Sequence, residues 1–324
     1  MKKISGTALK TTLAFAACLA LSSMPAFAQD YPTKPVRLVT AEAGGGHDVT
    51  ARLIAQGLSP RLGQQFIVDN RSGALIAGEY GAKAAPDGYT LLIYGSSLWL
   101  EQFLRSEVPY NVERDFAPIG IEVNAPILVA VHPSLEVKSI KELIAMAKAR
   151  PGVLNFGTGQ SGASTHLASE LFKTMAGVDM LRIPYKGNGQ AVNALIAGQV
   201  QVMFPTAGSV AGHLKSGRVR ALAITSSRRS ALFPDLPTVA EAGVPGYEAD
   251  GVIGAFTQAK VPPAIINLLS REMAAVINTP DIKARFNASG VETVGSSPQV
   301  MAAFMKSEMT RMGKLIKDLG LKED

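Results

Sequence analysis

Short apolar runs alternate along the chain with segments whose apolar residues recur at helical spacing. The stretch "VRLVTAEAGGGHDVTARLIAQGL" (Val36–Leu58) sets the pattern. Val36 to Val39 read as a buried strand, three glycines follow at Gly44–Gly46, and Val49, Leu53, Ile54 and Leu58 then fall on one helical face. The same reading predicts strands at Val36–Thr40, Thr90–Tyr94, Ile127–Val131, Val153–Phe156, Leu181–Pro184, Val200–Phe204, Ala221–Thr225 and Val252–Thr257. Helices are expected at Asp48–Leu58, Ile140–Ala149, Thr165–Met175, Gln190–Ala197, Ser209–Lys215, Ala264–Asn278 and Pro298–Leu319.

Strands alternating with helices of this length argue an α/β protein with mostly parallel sheets. Two strand-like runs flanked by Pro and Gly, Ala125–Ser134 and Tyr247–Pro262, read as crossings between two lobes. The expected division is 29–125 plus 248–324 for one lobe and 126–247 for the other.

The first 28 residues change the charge and cysteine picture. Lys2, Lys3 and Lys10 precede the apolar run Leu13–Leu21, which closes on Ala26-Phe27-Ala28. This is the pattern of a cleavable secretory signal, since the run is too short to span a bilayer. A lipoprotein reading would use Cys18 instead, but the apolar run continues past it. Removing three lysines from a net +6 leaves about +3, with basic residues scattered, which does not suggest a nucleic-acid binder. Cys18 is the only cysteine, so the remaining chain carries no disulfide and no thiolate chemistry. It is long enough to bury a core without staples.

The candidate chemistry lies in glycine-rich loops that each open a helix: "AEAGGGHD", "FGTGQSGAST", "YKGNGQ" and "FPTAGS". In an open α/β sheet, ligands sit beyond the carboxyl ends of strands. Glycine lets the backbone approach there, and the first helical N–H groups are unpaired and favour an anion. Two or more such loops facing one cleft would hold a carboxylate without a buried arginine. Ser161, Ser164 and Thr165 also suit an N-cap role, which is compatible with anion donation.

Two sharper motifs fail. Gly157 to Gly162 match G-x-G-x-x-G, but the acid a dinucleotide would need, Asp179, precedes the strand Leu181–Pro184 instead of following it. Gly159-Gln160-Ser161-Gly162-Ala163 nearly matches the nucleophile elbow of serine hydrolases, with Ala163 in place of the last glycine. His166 lies on the helix that Ser161 precedes, whereas an elbow serine takes its base from a distant loop. The four histidines, His47, His132, His166 and His213, show no zinc spacing. His132 reads as structural, and His47 either caps or lines the first loop.

These residues resemble the periplasmic solute-binding proteins of tripartite tricarboxylate transporters, the Bug or TctC family. The resemblance covers essentially the whole chain after the signal. It rests on "YPTKPVRLVTAEAGGGHDVTARLIAQGL", "VDNRSGALIAGEYGAKAAPDGYTLL", "VPYNVERDFAPI", "AVHPSLEVKSIKELIAMAKARPGVLNFGTGQSGASTHLASELFKTMAG", "IPYKGNGQAVNALIAGQVQVMF" and "GRVRALAITSSRRSALFPDLPTVAEAGVPGYE". It implies a two-lobed flytrap fold, each lobe a mainly parallel sheet flanked by helices. It also implies a monomer without cofactor, metal or enzymatic activity, which takes a small organic carboxylate in the periplasm to a two-subunit membrane permease. Carried over, one ligand carboxylate would meet Ala43, Gly44, Gly45 and His47 from the first loop. It would meet Thr158, Ser161, Ser164 and Thr165 from the second, with Pro205 and Thr206 after "VQVMF" contributing to specificity.

Three departures matter. The first loop opens Thr40-Ala41-Glu42-Ala43, where relatives commonly have a Pro-Phe pair and a further proline. Pro205-Thr206 stand where many relatives place an aspartate, which argues against an amino-acid ligand. "GSSLWLEQFL" puts Ser96, Trp99 and Phe103 after a strand that could end at the cleft, so Trp99 is either core packing or a stacking wall for an aromatic carboxylate. The rival from another class is a secreted serine hydrolase using Ser161.

Overall fold

The computed structural model describes residues 31–41, 43, 45–71, 73–159, 162–185 and 187–322. The expected signal, residues 1–28, lies outside them, as do Gly44 and Ser161. Among the described residues, eleven strands form two sheets. The first holds β1 (Val36–Thr40), β2 (Phe66–Asn70), β3 (Thr90–Gly95), β4 (Phe116–Asn124), β10 (Val252–Gln258) and β11 (Glu292–Thr293), in the order β11-β4-β10-β3-β1-β2. The second holds β5 (Leu128–Val131), β6 (Asn155–Thr158), β7 (Leu181–Pro184), β8 (Val202–Met203) and β9 (Arg220–Ile224), in the order β7-β6-β8-β5-β9.

The α/β two-sheet architecture is as expected: β1 to β4 run in one sense in the first sheet and β6 to β9 in one sense in the second, with antiparallel pairings mixed into each. β1 pairs in parallel with β2 and β3, and β6 with β7 and β8. Of the exceptions, β11 lies at the sheet edge antiparallel to β4, and the other two share one cause. The chain passes between the sheets twice, and the strand laid down directly after each passage runs against its neighbours. β10 is antiparallel to both β3 and β4, and β5 to both β8 and β9. At the passages the two backbones touch. Ala125 N donates to Gly251 O at 2.9 Å. A side chain at Gly251 would place its Cβ 2.2 Å from the Ala125 carbonyl oxygen, so only glycine fits.

Eleven helices are described: α1 (Gly46–Leu62), α2 (Ala74–Ala82), α3 (Ser97–Leu104), α4 (Val112–Asp115), α5 (Ile140–Ala149), α6 (Ser164–Ala176), α7 (Asn188–Ile196), α8 (Ala207–Lys215), α9 (Pro263–Ile277), α10 (Pro280–Ala288) and α11 (Pro298–Asp318). Val36, Leu38 and Val39 of β1 are fully buried, as their run predicts. In α1 the predicted stripe buries Leu53, Ile54 and Leu58, while Val49 is exposed. Strands β2, β4 and β11 and helices α2, α3, α4 and α10 are elements the apolar pattern does not disclose.

Candidate functional site

A cavity of about 1090 Å³ lies between the two sheets. The first sheet and its loops contribute Gly45, His47, Tyr94 and Ser96; the second contributes Ser164, Thr165, Asn188 and Thr206. Both passages line it as well, through Ala125 and Gly251.

Each wall is braced from behind. After β1, the Asn70 amide donates to Ala41 O at 2.7 Å and to Asp48 Oδ1 at 2.8 Å. Arg52 Nε donates to Asp48 Oδ2 at 3.0 Å, so the buried Asp48 carboxylate pins the first turn of α1 to the end of β2. His47 stacks on Tyr94, with ring centroids 5.2 Å apart and planes 27° from parallel. Gly95 makes room for this, because a Cβ there would fall 2.9 Å from His47 Nε2. Across the cleft, Thr165 Oγ1 donates to Asn188 Oδ1 at 3.3 Å and joins the starts of α6 and α7.

The helix ends differ by location. Six helices, α1, α2, α3, α6, α7 and α8, begin at the cavity, and among the described residues none has an N-cap side chain hydrogen-bonded to its first turn. The helices that are capped by a side chain begin elsewhere. Asn111 caps α4, Ser139 caps α5 and Ser297 caps α11. The remaining two, α9 and α10, start on proline, which removes a donor. Helix starts without a side-chain cap are thus gathered where the cavity opens, each end favouring an anion by about 0.3–1 kcal/mol at an exposed site. Charged side chains are sparse among the described lining residues: Glu101, Arg105 and Lys322, with Arg105 Nε 2.8 Å from Glu101 Oε2.

Of the residues singled out from sequence, Gly45, His47, Ser96, Ser164, Thr165 and Thr206 are brought together at the cavity. Ala43 is exposed beside the first loop and does not line the cavity. Thr158 is buried beneath the second loop, its Oγ1 accepting from Arg182 Nε at 2.9 Å. Pro205 is a buried spacer whose carbonyl accepts from Leu128 N at 2.9 Å.

Of the two readings of Trp99, the structure favours the core over the cleft wall. Trp99 is 1 % exposed and packs in the core, 6.0 Å from the Phe256 ring and 6.4 Å edge-on from Phe304. The apolar run of α3 turns it inward with Leu98, Leu100 and Leu104. Tyr94, Asn188 and Ser209 line the cavity and were not singled out. "YKGNGQ" flagged the loop carrying Asn188, but nothing local marked Tyr94.

Asp179 sits beside Gly152, its carbonyl accepting from Gly152 N at 3.2 Å, at the amino end of β7, whereas the glycine loop follows the carboxyl end of the parallel β6. Among the described residues no three His, Cys, Asp or Glu side chains gather to hold a metal. His132 Nδ1 meets Ser134 Oγ at 2.7 Å, a local turn contact. Burial, with Arg182 and Lys173 adding to it, holds His166 down to about 3, far below the ordinary histidine range.

Residues 50–321 match the family described as the tripartite tricarboxylate transporter family receptor, TctC. The chain is 36 % identical over 303 residues to protein BugT of Bordetella pertussis, covering 92 % of this chain and 93 % of that one. Among solved structures it resembles R. palustris Rpa4515 with adipate, at 36 % identity and TM-score 0.79, covering 90 % of this chain and 98 % of the other. It also resembles MatC from Rhodopseudomonas palustris with bound malate, at 27 % identity and TM-score 0.76, covering 88 % and 100 %.

Proposed function

We propose that this chain, which belongs to the tripartite tricarboxylate transporter receptor (TctC) family, captures a small organic carboxylate in the cleft between its sheets and delivers it to a membrane permease from the periplasm. The family is one of solute-binding proteins. The observation that carries the carboxylate is the set of six helix starts at the cavity without side-chain caps. Their N–H groups, with the hydroxyls of Ser164, Thr165 and Thr206, offer donors to an acid group. The ligands named for the two R. palustris relatives, adipate and malate, support the same class. With Trp99 in the core, the rings left at the described lining are His47, Tyr94 and Phe286, so an aromatic cargo has a narrower basis than an aliphatic one.

No chemical step is part of this reading. The hydrolase alternative needs a base for Ser161, and a buried histidine held near pH 3 is too weak a base for that role. Thermal-shift titration of the purified protein with adipate, malate and benzoate tests the proposal. A ligand at 100 times its Kd stabilises by about 2.7 kcal/mol, read as a melting-point rise of several degrees with one carboxylate at least. Ester cleavage lost in Ser161→Ala, with no carboxylate bound, would reverse the assignment.

A further inference from the structure

His166 does not line the cavity, yet it is tied to a part that does. It stands in the first turn of α6 and is 1 % exposed. Its Nδ1 accepts the Gly162 N–H at 3.0 Å. Gly162 has φ +72°, a left-handed conformation that favours glycine. Gly162, Ala163, Ser164 and Thr165 all line the cavity.

We propose that His166 is a positioning residue: its neutral ring clamps the Gly162 turn from behind and so fixes where the free amides of α6 point. This rests on the carboxylate reading above. An accepting Nδ1 places the ring proton on Nε2. Nε2 is buried without a hydrogen-bond partner and lies 3.8 Å from Glu170 Oε1, which faces it from the next turn. Glu170 is itself held by Lys173, Nζ to Oε2 at 3.1 Å. Protonation of Nδ1 would abolish the contact between the ring and the turn. Burial opposes that protonation, as do the charges of Arg182 and Lys173. The clamp also withdraws the Gly162 N–H from the donors the cleft can offer, leaving those that follow it.

The two ring nitrogens can be tested apart. An asparagine places its side-chain oxygen near the position of Nδ1; a glutamine reaches toward that of Nε2 and is closer to histidine in volume. The clamp therefore predicts that His166→Asn keeps adipate affinity close to wild type. His166→Gln and His166→Leu lose it by about fivefold to tenfold, the scale of one hydrogen bond. A role in packing alone predicts the opposite order of Asn and Gln.

A readout without ligand stands beside this. In ring ¹⁵N spectra of the full chain, His166 should show the Nε2–H tautomer and no titration between pH 5 and 8. Slow exchange of the Gly162 amide should survive only in wild type and the Asn variant. An Nδ1–H tautomer, a titration near the ordinary histidine pKa, or a Gly162 amide equally protected in the Leu variant overturns the clamp. Should wild type fail to bind any carboxylate, the function proposal falls, while the tautomer and amide measurements still decide the role of His166.

Discussion

Gly208 and Ser289 meet main chain to main chain: a Cβ on Gly208 would lie 2.2 Å from the Ser289 carbonyl oxygen. Gly208 is in the first turn of α8, which follows β8 of the second sheet. Ser289 ends α10 and precedes β11 of the first. Both line the cavity. An added methyl in Gly208→Ala must push the two sides apart. Overpacking of this kind costs about 1–3 kcal/mol, or roughly fivefold to a hundredfold in affinity if it falls on the closed form alone. Isothermal titration with adipate should show that loss with the melting point of the free protein nearly unchanged. An equal loss of both would mean that the contact supports the fold and not closure.

Asn70→Ala removes two hydrogen bonds that hold the first loop, to Ala41 O and Asp48 Oδ1. The buried Asp48 carboxylate loses one of its donors, at a cost of about 1–3 kcal/mol. Chemical denaturation should register that loss, and carboxylate affinity should fall with it. Retained affinity in a destabilised variant would separate the brace from the site.

Glu122 is 2 % exposed in β4, and its Oε2 has no hydrogen-bond partner. Burial pushes its carboxyl up to about 8, from an ordinary value of 4.5. The folded chain therefore keeps a proton that the unfolded chain releases. Its contribution is complete below about pH 4.5 and is lost as pH rises toward 8, by at most about 1.4 kcal/mol per pH unit. Glu122→Gln cannot titrate, so the stability of the variant relative to wild type should climb between pH 5 and 8. Parallel urea midpoints for the two proteins across that range would show that the buried carboxyl is not protonated.

Trp99 is the only tryptophan, so intrinsic fluorescence reports one site. Its core position predicts blue-shifted emission, weak quenching by acrylamide and little response to a bound carboxylate. Trp99→Ala should cost about 3–5 kcal/mol. A strong ligand-dependent quench would return the ring to the cleft.

The legible parts of the fold were those in which local signals agreed. α5 spans Ile140–Ala149 as its stripe predicts, and Ser139 caps it. The glycine loops pointed to the cleft because close backbone approach leaves a local mark. β4 was hidden because Pro118 and Gly120 interrupt its apolar run, and its pairing with β10 shifts register twice. α2 carries Gly78 and Gly81 and lacks a clear amphipathic stripe. The antiparallel strands could not be foreseen, since their direction is set by where the chain re-enters a sheet. Trp99 was left between core and cleft for a similar reason: its neighbours Phe256 and Phe304 are far along the sequence. Asn188 and Tyr94 acquire their places by contact with Thr165 and His47, which no local pattern encodes.

The six open helix starts also bear on how such a receptor can change its cargo. A main-chain amide cannot be deleted by altering a codon, short of introducing proline. On the proposed reading the handle for the acid group is therefore shielded from mutation. Lining residues such as Val49 and Ser209 remain free to drift around it. New substrates would be acquired by refurnishing the walls while the anchor persists.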